Sequence, residues 1–153
     1  MKIMDFLHEK AIKAELVAST KEGIIKELVE LLAGAQAIKD KEKLTRTLLE
    51  RETLGSTGIG QGVAIPHGKS ESVKELVAAF GLSKKGVDFD SLDGEPVYIF
   101  FLLVAPEDSA GPHLKALARI SRLLKDKYFR DTLRMSKDVK TILKIIRQED
   151  AKK

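Results

Sequence analysis

Cysteine and tryptophan are absent from this 153-residue chain, and aromatic residues make up only 5% of it. Without a thiol there is no disulfide scaffold, no thiolate metal site, no iron–sulfur cluster and no cysteine nucleophile. Proline occurs four times and glycine eleven times, too seldom for a collagen-like or linker-type chain. Long apolar runs are missing as well. The apolar stretch Val97–Val104 is eight residues, whereas a membrane span needs about 20, so no direct membrane insertion is expected. The opening stretch Met-Lys-Ile-Met-Asp-Phe-Leu-His-Glu is broken by acids and does not read as a secretory signal. The expected location is therefore cytoplasmic.

What is present suffices for a packed core. Hydrophobic residues are 43% of the chain, and the length favours one domain over residues 1–153. The formal net charge is +4, unevenly spread: residues 1–114 carry 14 basic and 18 acidic side chains, residues 115–153 carry 13 and 5. A basic C-terminal third raises the question of nucleic acid. Its Lys and Arg residues, however, lie between apolar residues at helical spacing and lack interleaved aromatics. They read as the solvated faces of helices, with an acidic protein partner as the alternative, and no nucleic-acid partner is expected.

Ser19 and Glu22 form a capping-box spacing ahead of Ile24, Leu28, Leu31, Leu32 and Ala35, which predicts a helix from about Lys21 to Gln36. Asp40 caps a second helix, with Leu44, Leu48 and Leu49 inward, ending near Gly55. The run Gly55-Ser-Thr-Gly-Ile-Gly-Gln-Gly62 is too rich in glycine for helix or regular strand and predicts a loop with several positive-φ positions. Val63–Ile65, Leu76–Leu82 and Val97–Val104 read as strands, the last buried on both faces because it does not alternate. Helices follow from about Pro112 to Leu124, from Lys127 to about Met135 after an Asp126 cap, and from a Ser136 cap through Val139, Ile142, Leu143 and Ile146. The tail Glu149–Lys153 is expected to fray. Helices, then strands, then helices predict a single α/β domain, a mixed β-sheet flanked by helices on both faces.

Two loops carry polar groups at strand ends, where ligands tend to bind in such folds. The glycine run is not a dinucleotide fingerprint, because Gly58, Gly60 and Gly62 have the wrong spacing and lead into a strand. Nor is Gly62 to Ser70 a phosphate-binding P-loop: five residues separate its glycines, and Pro66 removes a needed amide donor. Of the three histidines, His8 reads as a surface residue in a charged segment. His67 follows Pro66 at a strand end with glycines around it, and His113 follows Gly111-Pro112 at a loop–helix junction. Each alone is more often structural than catalytic; two of them at two strand-end loops shift that balance toward function. Zinc held by both with Glu107 or Asp108 lacks any metal-ligand spacing, so no metal and no cofactor is expected. Phosphoryl transfer is the other reading. A neutral imidazole is a competent nucleophile near physiological pH. Ser56, Thr57 and the amides from Gly58 to Gly62 could donate to phosphoryl oxygens, and the Arg51 guanidinium could pair with one. From spacing alone, a surface ion pair of Arg51 with Glu50 or Glu52 ranks first.

The segment Arg51-Glu-Thr-Leu-Gly-Ser-Thr-Gly-Ile-Gly-Gln-Gly-Val-Ala-Ile-Pro-His67-Gly-Lys resembles the active-site segment of enzyme IIA of the fructose/mannitol class in the bacterial sugar phosphotransferase system, including its nitrogen-regulatory branch. Val87-Asp-Phe-Asp-Ser-Leu-Asp-Gly94-Glu-Pro-Val97, the apolar strand, Pro106 and His113-Leu-Lys-Ala-Leu-Ala resemble later blocks of that family in the same order. The resemblance implies that His67 is the phosphorylated nucleophile, that His113 supports the phosphoryl group, and that Arg51 is an active-site cation rather than a surface partner of its neighbours. It implies a phosphoenolpyruvate-dependent phosphoryl carrier, a transferase component fed by an HPr-like phosphocarrier protein and discharging to a cysteine of enzyme IIB. The alternative it carries is a nitrogen-regulatory protein whose phosphorylation state controls docking on regulatory partners. A hydroxyl near the site, matching Thr57, is a looser correspondence, and Ser56 and Gly58 join it as phosphate-binding candidates. Ser91-Leu-Asp-Gly leans toward the sugar branch. Leu54 and Ile59 read as core residues first and as partner contacts second.

Overall fold

In chain order the computed structural model, which describes residues 1–35 and 37–152, contains β1 (Leu7–Lys13), α1 (Lys21–Gly34), α2 (Lys41–Thr53), β2 (Gly58–Gly60), β3 (Val63–Ala64), β4 (His67–Lys69), β5 (Val77–Val87), β6 (Val97–Ala105), α3 (Ala110–Leu123), α4 (Lys127–Arg134) and α5 (Val139–Ala151). A 3-10 turn, Ile3–Asp5, precedes β1. The sheet runs β1-β5-β6-β3-β2, with β4 also paired to β6. Strands β1 and β5 are parallel, β5 and β6 antiparallel, and β3 and β4 both parallel to β6, so the sheet is mixed as expected.

Strand β6 organises the core. Its side chains alternate between two packed layers, so a run without polar alternation is what the fold requires. Ile99, Phe101 and Leu103 lie with Ala116, Ile120, Leu133, Ile142 and Ile146 of α3, α4 and α5. Phe100, Leu102 and Val104 lie with Ile24, Leu28, Leu44 and Leu48 of α1 and α2 on the other face. Two helices therefore cover one side of the sheet and three the other.

Helix starts are set by short oxygen-bearing side chains that receive the free amides of the first turn. Asp40 accepts from Lys43 N at 3.1 Å and Asp126 from Phe129 N at 3.2 Å, as the sequence predicts. Two caps fall elsewhere than expected. Thr20, not Ser19, accepts the Gly23 amide at 3.0 Å, so Glu22 is no capping-box partner. Asp138, not Ser136, accepts the Thr141 amide at 2.7 Å. Ser136 is buried, and its hydroxyl donates to Thr132 O at 3.1 Å. The expected end of the first helix at Gln36 lies outside the described residues; α1 ends at Gly34.

Three strands go beyond the sequence reading. Strand β1 is an edge strand with His8, Glu9 and Lys10 exposed in its middle, and charged edges defeat a periodicity search. Strand β4 holds only three residues. Strand β2, inside the expected glycine loop, pairs with β3 through an irregular register. The C-terminal tail is also more ordered than expected, because α5 continues to Ala151 with Glu149 and Asp150 buried. Asp150 accepts from Arg119 Nε at 2.6 Å and from Ile3 N at 2.6 Å, joining the two ends of the chain.

Candidate active site

His67 opens β4, in register with Leu103 of β6. Pro66 is buried just before it, and its carbonyl accepts the Leu103 amide at 2.9 Å, which anchors the backbone at the ring. The ring is half-buried, and its Nδ1–H donates to the Ile65 carbonyl at 2.7 Å. A carbonyl oxygen only accepts, so this bond assigns the proton of the neutral ring to Nδ1. The lone pair is then on Nε2.

The second histidine arrives from the other side of β6. After Ala105 the chain turns, with Ser109 N donating to Pro106 O at 3.1 Å, and enters α3. His113 is in the first turns of that helix, its amide bonded to Ser109 O at 3.2 Å, and the residue is only 7% exposed. The His67 and His113 ring centroids are 5.7 Å apart with the planes inclined at 65°, edge to face. His113 Nε2 is buried and has no hydrogen-bond partner among the described residues. Burial pushes the His113 pKa below its ordinary 6.5, and the charges of His67 and Lys69 push it the same way. A neutral ring at neutral pH follows.

Arg51 is in the last turn of α2, and its Nη1 donates to the Gly55 carbonyl at 2.8 Å. No ion pair with Glu50 or Glu52 forms among the described residues, contrary to the reading that ranks first from spacing alone. Arg51 thus closes the start of the glycine loop with its carboxylate neighbours directed elsewhere. The three phosphate-binding candidates are tied to one another and to the loop beside them. Ser56 Oγ donates to Phe89 O at 2.5 Å and accepts from Gly58 N at 3.0 Å. The Thr57 hydroxyl donates to Glu52 Oε2, and the Thr57 amide donates to Glu52 Oε1 at 3.1 Å. Each of these three is therefore already bonded to a partner within the protein.

Glu52 is the residue that sequence reasoning missed. It is a buried carboxylate, 8% exposed, paired with Lys21 Nζ at 3.0 Å. A signal was available: Leu44, Leu48 and Glu52 are spaced i, i+4, i+8, so Glu52 continues the buried stripe of α2. A charge on such a stripe needs a partner.

Farther along the loop, Gly60, Gln61 and Gly62 all take positive φ (96°, 60° and 79°), which reverses the chain between β2 and β3. The Asp93 carboxylate steadies the turn by accepting the Gln61 amide at 2.9 Å. Leu54 and Ile59, expected first as core residues, are 84% and 47% exposed, because they sit outside both packed layers. Among the described residues no group of three or more His, Asp or Glu side chains is placed to hold a metal ion. No described helix is long and apolar enough to cross a membrane.

Residues 5–149 match the family described as "Phosphoenolpyruvate-dependent sugar phosphotransferase system, EIIA 2". The chain is 41% identical over 150 residues to a fructose-specific EIIABC component of the phosphotransferase system from Bacillus subtilis. That match covers 98% of this chain and 24% of the relative, so the chain spans about a quarter of that longer protein. It is 39% identical over 146 residues to a nitrogen regulatory protein from Bradyrhizobium diazoefficiens, covering 95% of each. The crystal structure of nitrogen regulatory protein IIA-Ntr from Neisseria meningitidis superposes with a TM-score of 0.86 at 32% identity, over 93% of this chain and 97% of that one. Enzyme IIA mannitol from Escherichia coli, solved in complex with phosphorylated enzyme IIB mannitol, shares the fold at 20% identity, with a TM-score of 0.78 over 91% of this chain and 95% of that one.

Proposed function

The chain belongs to the EIIA 2 family of the phosphoenolpyruvate-dependent sugar phosphotransferase system, a family of phosphotransfer components, and from that premise we propose that it is a carrier that holds a phosphoryl group on Nε2 of His67. The unit is one such domain across residues 1–153. An HPr-like phosphocarrier protein delivers the group, and the acceptor is a cysteine of an enzyme IIB, the class of protein on which the mannitol homologue was solved.

The observation that carries this reading is the pair of imidazoles at one rim, 5.7 Å apart, with the proton of His67 held by Ile65 O. In the proposed step the Nε2 lone pair forms the new N–P bond. The bond from phosphorus to the donor's imidazole nitrogen breaks, and its electron pair stays on the donor ring. The Nδ1 proton of His67 does not move. His113, neutral and with an unpartnered buried nitrogen, supplies a hydrogen bond to a phosphoryl oxygen, and Arg51 supplies the cation after exchanging its bond to Gly55 O. Positioning and electrostatics account for the rate. Because Ser56, Thr57 and Gly58 already have partners, direct contacts from them to the phosphoryl group would require those bonds to be exchanged.

The chain's near end-to-end match to nitrogen regulatory proteins favours a second reading, in which the same phosphorylation governs docking on regulatory partners. Incubation with phosphoenolpyruvate, enzyme I and HPr, followed by intact mass, tests the shared claim. One acid-labile phosphoryl group is expected, and it is expected to vanish in His67→Ala. Undiminished labelling of that variant would overturn the assignment. Candidate enzyme IIB proteins added afterwards separate the two readings, since only the carrier in sugar uptake discharges to a IIB cysteine.

A further inference from the structure

Glu52 has a place in the fold that a surface carboxylate does not. Four groups converge on it: the amide and hydroxyl of Thr57, the Lys21 ammonium, and through that ammonium the loop that carries Phe89 and Asp90. Lys21 Nζ lies 3.0 Å from Glu52, 3.6 Å from Asp90 and 4.9 Å from the centre of the Phe89 ring. The Phe89 carbonyl accepts the Ser56 hydroxyl. A buried carboxylate is stable only when paired and hydrogen-bonded, so this set of contacts holds as a unit or not at all.

The unit continues to the reactive ring. The Thr57 carbonyl accepts the Ile65 amide at 3.0 Å, and the Ile65 carbonyl accepts Nδ1–H of His67 at 2.7 Å. The chain of contacts is therefore carboxylate, Thr57, Ile65, imidazole. The Ile65 carbonyl belongs to an Ile–Pro peptide, whose far side is set by the fixed φ of Pro66. Its near side depends on the Ile65 torsions, and the Thr57 bond holds those in place. We propose that Glu52 is a positioning residue for transfer at His67: by fixing Thr57 it holds the Ile65 carbonyl that keeps the ring proton on Nδ1. Freed from that carbonyl, a neutral imidazole exchanges between its two tautomers. The fraction protonated on Nε2 has no lone pair there to offer. The kinetic part of this inference rests on the phosphoryl-carrier reading; the tautomer part does not.

The experiment uses the full chain. Nitrogen NMR of His67 at about pH 8, where an ordinary histidine is neutral, reports which ring nitrogen is protonated. The wild type is expected to show a single Nδ1–H tautomer. Glu52→Ala and Glu52→Gln are expected to show averaged nitrogen shifts, because alanine offers no acceptor and glutamine sets an NH2 group where one of the two Thr57 donors now meets a carboxylate oxygen. Loading from phosphorylated HPr is expected to show kcat falling by about tenfold or more, as small losses of alignment do, with KM for the donor unchanged. Lys21→Met is expected to give the same signature more weakly. Glu52→Gln, close to the native side chain in size, keeps the test valid if Glu52→Ala does not fold. A folded Glu52→Gln with wild-type nitrogen shifts would overturn the positioning role. So would a mixed tautomer with undiminished kcat, for its kinetic part. A wild-type ring with a single tautomer that takes no phosphoryl group would overturn the carrier reading instead, and leave the link from Glu52 to the tautomer standing.

Discussion

His113→Leu is expected to leave stability near neutral pH almost unchanged, to make the protein more resistant to acid, and to impair its transfer chemistry. In the native chain His113 is 7% exposed, and its Nε2 is buried with no partner among the described residues. An unsatisfied buried polar atom costs about 1–3 kcal/mol. Leucine removes that atom and fills a similar volume, and swaps of this kind cost less than about 1.5 kcal/mol in packing. The edge-to-face contact with His67 is lost as well, about 0.5–1.5 kcal/mol. Taken at mid-range these terms nearly cancel, so the net change near neutral pH is expected to stay within about 1 kcal/mol of zero. The pH dependence is sharper than the mean. The folded-state pKa of His113 lies below 6.5, so on acidification the unfolded chain takes up the proton first. Wild-type stability from this group is present above about pH 6.5 and is lost as pH falls toward the folded pKa. The leucine variant has no such loss, so its stability relative to the wild type rises as pH falls from about 7.5 to about 5. Urea denaturation at three pH values in that window measures this, and a gain of 1 kcal/mol corresponds to about 2–4 °C in melting temperature. Phosphoryl loading on His67 is expected to persist, with onward transfer falling about a hundredfold, the usual effect of removing one donor from a developing charge. A stability relative to the wild type that does not rise on acidification would refute the reasoning.

Asp150→Ala is expected to destabilise by about 3–5 kcal/mol, the usual cost of removing one partner of a buried ion pair, since Arg119 and the Ile3 amide both lose their acceptor; equilibrium denaturation gives the magnitude, and rapid amide exchange at Ile3 identifies the cause. Gly58→Ala places a methyl group against Ser91 Oγ and 3.1 Å from Ser91 Cα, a backbone atom that cannot rotate away. A loss of about 1–3 kcal/mol in urea unfolding is expected from such overpacking, and wild-type stability would show that the two loops separate freely.

The parts of the fold that were legible in the sequence are those where burial and local chemistry agree. Val97–Val104 reads as a doubly buried strand because both of its faces meet helices, and the fold uses it so. Asp40 and Asp126 read as caps because each precedes an apolar stripe and has no competitor beside it. Where competitors sit close together, sequence alone does not choose. Ser19 stands beside Thr20, and Ser136 lies two residues from Asp138; the three-dimensional path of the entering chain decides which oxygen meets the free amide. Strand β1 was illegible for a different reason. Its pairing with β5 is long-range, and its exposed centre, His8-Glu-Lys, has the composition of a loop. Strand existence there is dictated by a partner some 70 residues away, as Leu7 opposite Ala78 illustrates.

At the site, residue types were easier to read than their assignments. The imidazoles at 67 and 113 stand on opposite flanks of β6 in sequence, and only the β4–β6 register and the entry of α3 bring them to 5.7 Å. Ser56 and Thr57 are typical donors to phosphate, yet a hydroxyl beside a buried carboxylate or an open carbonyl bonds to it first, and both do. That competition follows from geometry and cannot be seen in a string of letters. The adjacent pair Arg51-Glu52 makes the point in two residues. Neighbours on a helix point about 100° apart, so a stripe through Leu44 and Leu48 takes Glu52 inward and leaves Arg51 at the rim. An ion pair between them would have to bridge that angle against a burial pattern already set by two leucines. The acid is therefore drawn to Lys21 and Thr57, and the guanidinium is left without an anion among the described residues. For a protein read as a phosphoryl carrier, that division is the useful outcome: one charge holds the loop, and the other remains available to a phosphoryl group.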